Sequence, residues 1–252
     1  MVTYTPEFFK RHHESARRSA ETIVPIVMNL VHAESVIDVG CGTGTWLAVF
    51  REHGARTILG VDGIWIERET LEIPPENFKT HDLATPLRLD RTFDLVVCLE
   101  VAEHLPSASA NGLVESLTRL GSVILFSAGI PCQGGTHHLN EQWPGYWATK
   151  FEERGYVTVD LIRPKVWNNE SVAVWYAQNA LLFVKRDVLQ LNAAIGDEWD
   201  GGSHTVLSVV HPRQYLSVAD PWKLTPGQLV RSFPKTVSAL LRKTIFRTIR
   251  GR

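Results

Sequence analysis

Cysteine is scarce in this chain: Cys41, Cys98 and Cys132 are an odd number with no metal-ligand spacing. A disulfide framework and a cysteine-based metal cluster are therefore excluded, and a reducing compartment is expected. Net charge is close to nil, −1 over 252 residues, so no global field pulls the chain toward nucleic acid. Long apolar runs are missing as well. The stretch "AVWYAQNALLFV" is interrupted by Gln178 and Asn179 and is too short to span a bilayer. No N-terminal segment reads as a signal peptide, and there is no internal repeat or low-complexity tract. These absences lead to the expectation of a soluble, cytoplasmic protein. A hydrophobic content of 44% provides for one α/β domain with a full core plus an appendage.

One further absence is local. From Pro221 to Arg252 there is no acid but eight Lys or Arg, leaving 18 basic and 27 acidic residues in the rest, a net of −9. Within that tail Val237, Leu240, Leu241, Ile245 and Ile249 share one face of a helical projection, with Arg242, Lys243, Arg247 and Arg250 elsewhere. Peripheral contact with anionic lipid and plain packing on the domain both fit such a helix.

What is present begins with "VIDVGCGTGTW", residues 36–46. Val36, Ile37 and Val39 favour a buried strand, and "TWLAVFREHG" has helical spacing that ends on Gly54. Between them Gly40, Gly42 and Gly44 run G-x-G-x-G rather than the dinucleotide spacing G-x-G-x-x-G, since position 45 is Thr45. Alone, the glycines fit either a tight βα turn or a ligand lying close to the backbone. Farther on, "TILGVDG" reads as a second strand with Asp62 at its end, about twenty residues beyond the glycines, where a carboxylate can accept both ribose hydroxyls. "FKTHDL" ends in Asp82, which could accept from an adenine amino group. A fourth strand, "FDLVVCLEVAEHL", follows.

In this order, "VIDVGCGTG", "GVDG", "HDLATPL" and "FDLVVCLEVAEHL" resemble the successive motifs of class I S-adenosylmethionine-dependent methyltransferases, over residues 35–185. The resemblance implies a Rossmann-like α/β fold with a seven-stranded, mostly parallel sheet of order 3-2-1-4-5-7-6, strand 7 antiparallel, and helices on both faces. It implies an enzyme that uses S-adenosylmethionine. Asp38, Gly40, Gly42 and Gly44 would frame the methionine end, Asp62 with Gly63 the ribose, Asp82 with Leu83 the adenine, and Leu99 and Glu100 would complete the site. Strands are expected near 35–39, 57–61, 77–81, 93–98, 121–127, 156–162 and 179–184. The domain plan is a helical cap over 1–34 with Pro25 as a kink, a methyltransferase domain over 35–190, and an extension over 191–252 carrying the basic helix. Tyr4, Ser15 and Ser19 are candidates to cap the site from the N-terminal helix.

Ligands in such sheets sit beyond the carboxyl ends of the strands, which draws attention to two loops. In "LEVAEHLP", Glu100, Glu103 and His104 stand at i, i+3 and i+4, so a helical turn would gather them. "SAGIPCQGGTHHLNEQWPGYW" supplies His137 and His138 from the neighbouring strand end. A histidine suits the task of taking the proton from a methylated hydroxyl. The E-V-x-E-H loop is similar to that of ubiquinone-biosynthesis-type O-methyltransferases. Glu-x-x-Glu-His with a later His also resembles the metal site of small-RNA 3′-terminal 2′-O-methyltransferases. By that resemblance Glu100, Glu103, His104 and His138 would hold a divalent ion. Catalytic base, metal ligand and structural hydrogen bonding all stay open for these residues, and no metal is adopted. The acidic surplus of the core argues against an RNA substrate.

Trp143, Trp147 and Phe151 recur every four residues, which predicts helix packing. "RPKVWNNESVAVWYAQN" breaks the strand pattern and is expected as an aromatic lid insertion over 163–177. The expected reaction is O-methylation of a small-molecule, glycan or lipid-linked hydroxyl. The alternatives are a metal-dependent RNA 2′-O-methyltransferase or a non-catalytic protein that binds S-adenosylmethionine.

Overall fold

The computed structural model describes residues 6–189, 193–196 and 206–219. The first compact unit ends at His211 and the second begins at Pro212. Helix α1 (Pro6–Val31) leads into β1 (Ser35–Val39), α2 (Thr45–Glu52), β2 (Thr57–Asp62), β3 (Phe78–Thr80) and β4 (Leu95–Leu99). There follow α3 (Ala110–Leu120), β5 (Val123–Ser127), α4 (Pro144–Glu152), β6 (Tyr156–Val159), α5 (Arg163–Val166), α6 (Val174–Asn179), β7 (Leu181–Lys185), α7 (Arg186–Leu189) and α8 (Ala193–Gly196).

The seven strands form one sheet in the order β3-β2-β1-β4-β5-β7-β6. β7 runs antiparallel to both β5 and β6, and every other pairing is parallel. Order and direction agree with the sequence expectation. Period-two alternation puts residues of each central strand on opposite faces. Leu95, Val97 and Leu99 of β4 join a core built with Ile23, Val24 and Val27 of α1 and Leu47 and Phe50 of α2. Val96 and Cys98 join the other core, with Leu113, Val114 and Leu117 of α3 and Trp147 and Phe151 of α4. There Phe151 stacks on Phe183 with ring centroids 4.0 Å apart.

Several expectations need correction. Pro25 does not divide the N-terminal helix, which is one helix of 26 residues with Pro25 inside it. Proline removes one backbone bond, but Ile23, Val24, Val27 and Leu30 are buried on both sides of it, and their packing offsets the loss so that the helix continues. Trp143 is not part of the packed stripe: it precedes α4 and is exposed, whereas Trp147 and Phe151 are buried. Residues 163–177 are packed rather than a lid, because Val166, Val172, Tyr176 and Ala177 belong to the α1/α2 core. The Ala173 amide donates to Ser19 Oγ at 3.0 Å, so Ser19 braces α1 against this segment instead of capping a ligand site. The guanidinium of Arg163 donates to the carbonyls of Val206 and Leu207, which ties this segment to residues 206–207.

In the second unit Pro212–Ala219 forms α9. The basic segment 236–252 and Tyr4 lie outside the described residues. Among the described residues no helix is long and apolar enough to cross a membrane. Cys41, Cys98 and Cys132 are all free thiols.

Candidate active site

β1, β2, β4 and β5 are parallel, so their carboxyl ends lie at the same end of the sheet, and the turns and loops behind them carry most of the expected site residues. Asp38 is buried on β1, and burial together with the charge of Asp62 raises its pKa well above the usual carboxylate range. In the turn after β1 the three glycines serve different ends. A Cβ on Gly40 would collide with Val101, and one on Gly44 would press on Ile73, so these two admit close packing of the protein on itself. Gly42 has φ +54° and open space over its α-carbon. Its N–H donates to Asp62 Oδ2 at 2.7 Å. Gly42 is therefore where a ligand can lie against the chain beside a carboxylate.

Asp62 accepts a second backbone bond, from Gly63 at 2.6 Å, and burial still raises its pKa above the ordinary value. Its remaining lone pairs suit ribose hydroxyls. Asp82 is exposed and caps its own turn by accepting from the Ala84 amide at 3.0 Å, while Leu83 beneath it is buried. A residue not anticipated from sequence, Glu72, braces the glycine turn. Its Oε1 accepts from Thr43 and Thr45, meets His13 Nε2 at 2.7 Å, and so ties α1 to the turn.

The other half of the site hangs from β4 and β5. Glu100 takes up a left-handed backbone conformation, φ +54°, held because its N–H is bonded by Ser127 and its carboxylate by Gln133 Nε2 at 2.8 Å and Asn179 Nδ2 at 3.2 Å. The chain then makes a 3₁₀ turn over Ala102–His104 rather than an α-helical one. Glu103 is fully buried; the Gly129 backbone and the Glu100 carboxylate are its polar neighbours, but neither carboxylate oxygen makes a hydrogen bond within ordinary distance and angle. Burial first and the neighbouring Glu100 second push its pKa well above the usual range. His104 meets His138 edge to face at 4.8 Å between ring centres, and burial followed by the His138 charge lowers its pKa.

Ligand atoms of Glu103, His104 and His138 lie within 4.8 Å of one another, a group that could hold a metal ion. Glu100, expected as a fourth member, turns its carboxylate toward Gln133 and Asn179 and stands outside that group, while still coupling to Glu103. His137, with φ +60°, is also outside it. The residue that organises the loop is Glu141, which accepts from the Cys132 and Gly134 amides at 2.8 and 2.9 Å and from His138 Nδ1 at 2.9 Å. With Nδ1 donating to a carboxylate, the lone pair of His138 sits on Nε2. His138 and Glu141 stand three apart in "HLNE", a signal that points to a local pair but does not tell which side chain the loop turns inward.

A family model described as a methyltransferase domain matches residues 10–127. Over those residues the chain matches a methyltransferase domain, and its sheet has the strand order and directions of the Rossmann-like methyltransferase fold. A comparison with curated proteins finds no match. Among solved structures, the chain is similar to the sugar N-methyltransferase KedS8 from Streptoalloteichus, with 17% identity, TM-score 0.54, and coverage of 74% of this chain and 94% of that one. The methyltransferase domain of bacterial CtHen1-C gives 18% identity and TM-score 0.50, over 68% of this chain and 98% of that one. Magnesium protoporphyrin IX methyltransferase from Synechocystis, with bound S-adenosylmethionine, gives 19% and 0.50, over 73% and 85%. At these identities the likeness is one of fold.

The residues present fit the methyl donor of this class. Gly42 leaves room at the backbone, Asp62 offers oxygen lone pairs beside it, and Gly40 packs on Val101, which joins the donor turn to the Glu100–His104 loop. Asp62→Ala is expected to weaken S-adenosylhomocysteine binding by roughly 1.5 to 3 kcal/mol, about ten- to 150-fold, by removing hydrogen bonds to a charged group. Calorimetric titration checks this, and unchanged affinity would remove Asp62 from the site.

Proposed function

We propose that this methyltransferase acts on a hydroxyl of a small-molecule acceptor, a sugar or glycan above all, with His138 receiving the proton. The observation that supports this reading most directly is the pair His138 Nδ1–Glu141 at 2.9 Å, in which an Nδ1–H donated to the carboxylate leaves the lone pair of the neutral ring on Nε2, on a side chain grouped with Glu103 and His104. S-adenosylmethionine supplies an electrophilic methyl group and leaves as a neutral thioether. With the donor bound, the acceptor oxygen would take the methyl group as the C–S bond breaks, and His138 would receive the proton of the acceptor hydroxyl. Glu141 fixes the tautomer that makes this possible. The exposed Trp143, following the same loop, offers the flat apolar face with a polar edge that suits a sugar ring. The name of the KedS8 neighbour, a sugar methyltransferase, is in keeping with such an acceptor. Purified protein given S-adenosylmethionine and a panel of sugars, nucleotide sugars and glycans should yield an acceptor 14 Da heavier by mass spectrometry, a mass that follows from replacing hydrogen with methyl. Cofactor binding without any methylated product across that panel would favour a non-catalytic binding protein.

A second reading makes the same side chains a metal site. It is favoured by the grouping of Glu103, His104 and His138 and by the two oxygens of Glu103 that make no hydrogen bond of ordinary geometry. Such N and O donors suit Mn²⁺ or another borderline divalent ion, which would supply Lewis acidity toward the acceptor oxygen. On this reading chelation abolishes turnover and added Mn²⁺ restores it. Turnover indifferent to chelator leaves the histidines as proton acceptors. An RNA 2′-O-methyltransferase belongs to this second reading and is disfavoured by the −9 balance of residues 1–220.

A further inference from the structure

Gly134 and Gly135, in the loop after β5, both have positive φ, +74° and +158°, yet they differ in what surrounds them. Nothing stands within 4 Å of where a Cβ on Gly134 would be. A Cβ on Gly135 would stand 2.1 Å from Nε2 of His138, 2.5 Å from Cε1 and 2.7 Å from Cδ2. These nearest atoms all belong to one imidazole, and none is backbone. A Cβ lying along the Nε2 lone pair would be much farther from the two carbons than from the nitrogen. The similar distances place it over the face of the ring instead.

The bare α-carbon of Gly135 therefore rests against one face of His138, an approach that only glycine allows. Nδ1 of the same ring is bonded to Glu141 at 2.9 Å, and the rings of His104 and His138 meet edge to face. The His138 side chain is 12% exposed although Gly135 itself is exposed, so the glycine lies between the imidazole and water. The bond to Glu141 fixes where Nδ1 points but leaves the ring free to swing about that contact. A contact on the face removes the swing, and the direction of the Nε2 lone pair is then set.

We infer that Gly135 is a positioning residue for His138: its bare α-carbon holds the imidazole plane, so that Nε2 meets the acceptor hydroxyl from one direction. The inference rests on His138 as the proton acceptor. A side chain at position 135 pushes the ring away, because an imidazole at the end of a side chain yields more readily than backbone. Moving the ring breaks the Nδ1–Glu141 bond, and with it the tautomer that keeps Nε2 unprotonated.

The test compares Gly135→Ala with Gly134→Ala in the full chain, with chelator present. Both put a side chain where φ is positive, and only the first collides with His138. ¹⁵N NMR at mildly alkaline pH reads the tautomer of His138 from the histidine signals that His138→Ala lacks. Wild type and Gly134→Ala should show Nδ1–H, and Gly135→Ala should lose that signature. With the acceptor found in the sugar panel, Gly135→Ala should lower kcat about ten- to a hundredfold and leave S-adenosylhomocysteine affinity within about twofold of wild type. In a His138→Ala background the cost of Gly135→Ala in Tm should shrink to that of Gly134→Ala, since the ring it strikes is gone. Should Gly135→Ala alone fail to fold, the double variant should fold. A double variant that also fails, an Nδ1–H signature retained in Gly135→Ala, or its absence from wild type overturns the inference. A wild type that shows Nδ1–H but methylates no acceptor would instead remove the role of His138 as proton acceptor, while the tautomer still reads whether Gly135 holds the ring.

Discussion

His138→Ala is expected to lower kcat by about two to four powers of ten while leaving S-adenosylhomocysteine affinity within about twofold of wild type. The split follows from where the side chain sits. His138 comes from the loop after β5 and faces His104 and Glu103, whereas the residues proposed to hold the ribose and methionine portions, Asp62 and Gly42, lie in the turns after β2 and β1. Removing the imidazole therefore takes away the proton acceptor, or on the second reading a metal ligand, without touching the donor's contacts. Glu141→Gln should show a smaller version of the same loss, about ten- to a hundredfold, because an amide accepts from Nδ1 less strongly and can also turn its NH₂ toward the ring. Glu141 also bonds the Cys132 and Gly134 amides, so loop integrity must be separated from orientation. Glu141→Asp keeps the charge, and partial rescue of kcat by it marks orientation as the cause. Measuring kcat and donor affinity for the three variants decides the matter. An equal fall in donor affinity for His138→Ala would mean that the loop holds the donor and that the division of the site proposed here is mistaken.

The strands and turns that carry the proposed donor residues were legible in the sequence, and the arrangement of the proposed acceptor residues only in outline, for a physical reason. Donor contacts come from short stretches immediately behind strands. A buried hydrophobic run announces the strand, the glycines announce the turn, and Asp62 sits at a place fixed by strand length. Sheet order could not be read from residues 35–185 alone and came with the resemblance; β7 antiparallel between β5 and β6 agrees with it. The acceptor half depends on side chains far apart in the chain. Gln133 and Asn179 fix Glu100 from 33 and 79 residues away, and nothing local marks them. Without their pull, Glu100 and Glu103 look like equivalent members of one helical face. In the structure a left-handed Glu100 turns one carboxylate into an amide network and leaves the other without a hydrogen bond of ordinary geometry. Helical spacing failed for the same reason, since it assumes a regular helix where the backbone makes a 3₁₀ turn. The segment 163–177 was misread because its polar residues suggest solvent, while Arg163 is buried by pairing with Asp160 and by donating to carbonyls.

Glu103→Gln should abolish most turnover and at the same time make the protein more stable at alkaline pH. The folded-state pKa of Glu103 is raised, by burial and then by Glu100. Above the ordinary glutamate range the unfolded chain releases this proton while the folded chain retains it, so the unfolded state binds fewer protons and wild-type stability falls as pH rises toward the folded value. Glutamine has no proton to lose. The difference between variant and wild type should therefore be smallest near pH 4.5 and grow toward pH 8. Backbone contacts at Glu103 and Gly129 favour the ionised form only weakly against burial, and neither oxygen makes a hydrogen bond of ordinary geometry, so the ionised side chain is poorly compensated. A gain of roughly 1 to 3 kcal/mol at pH 8, or about 3 to 10 °C in Tm for a domain of this size, is the expected scale. The new amide also needs partners, and that cost is independent of pH, so the diagnostic quantity is the change in the difference between the two pH values. Thermal unfolding of both proteins is measured with chelator present, because a divalent ion bound at Glu103, His104 and His138 would stabilise wild type alone. Without chelator and with Mn²⁺ added, the metal reading predicts that the order reverses and wild type melts higher. A variant destabilised equally at pH 4.5 and pH 8 would show that the ionised Glu103 is well accommodated, and would remove it as the strained group at the centre of this site.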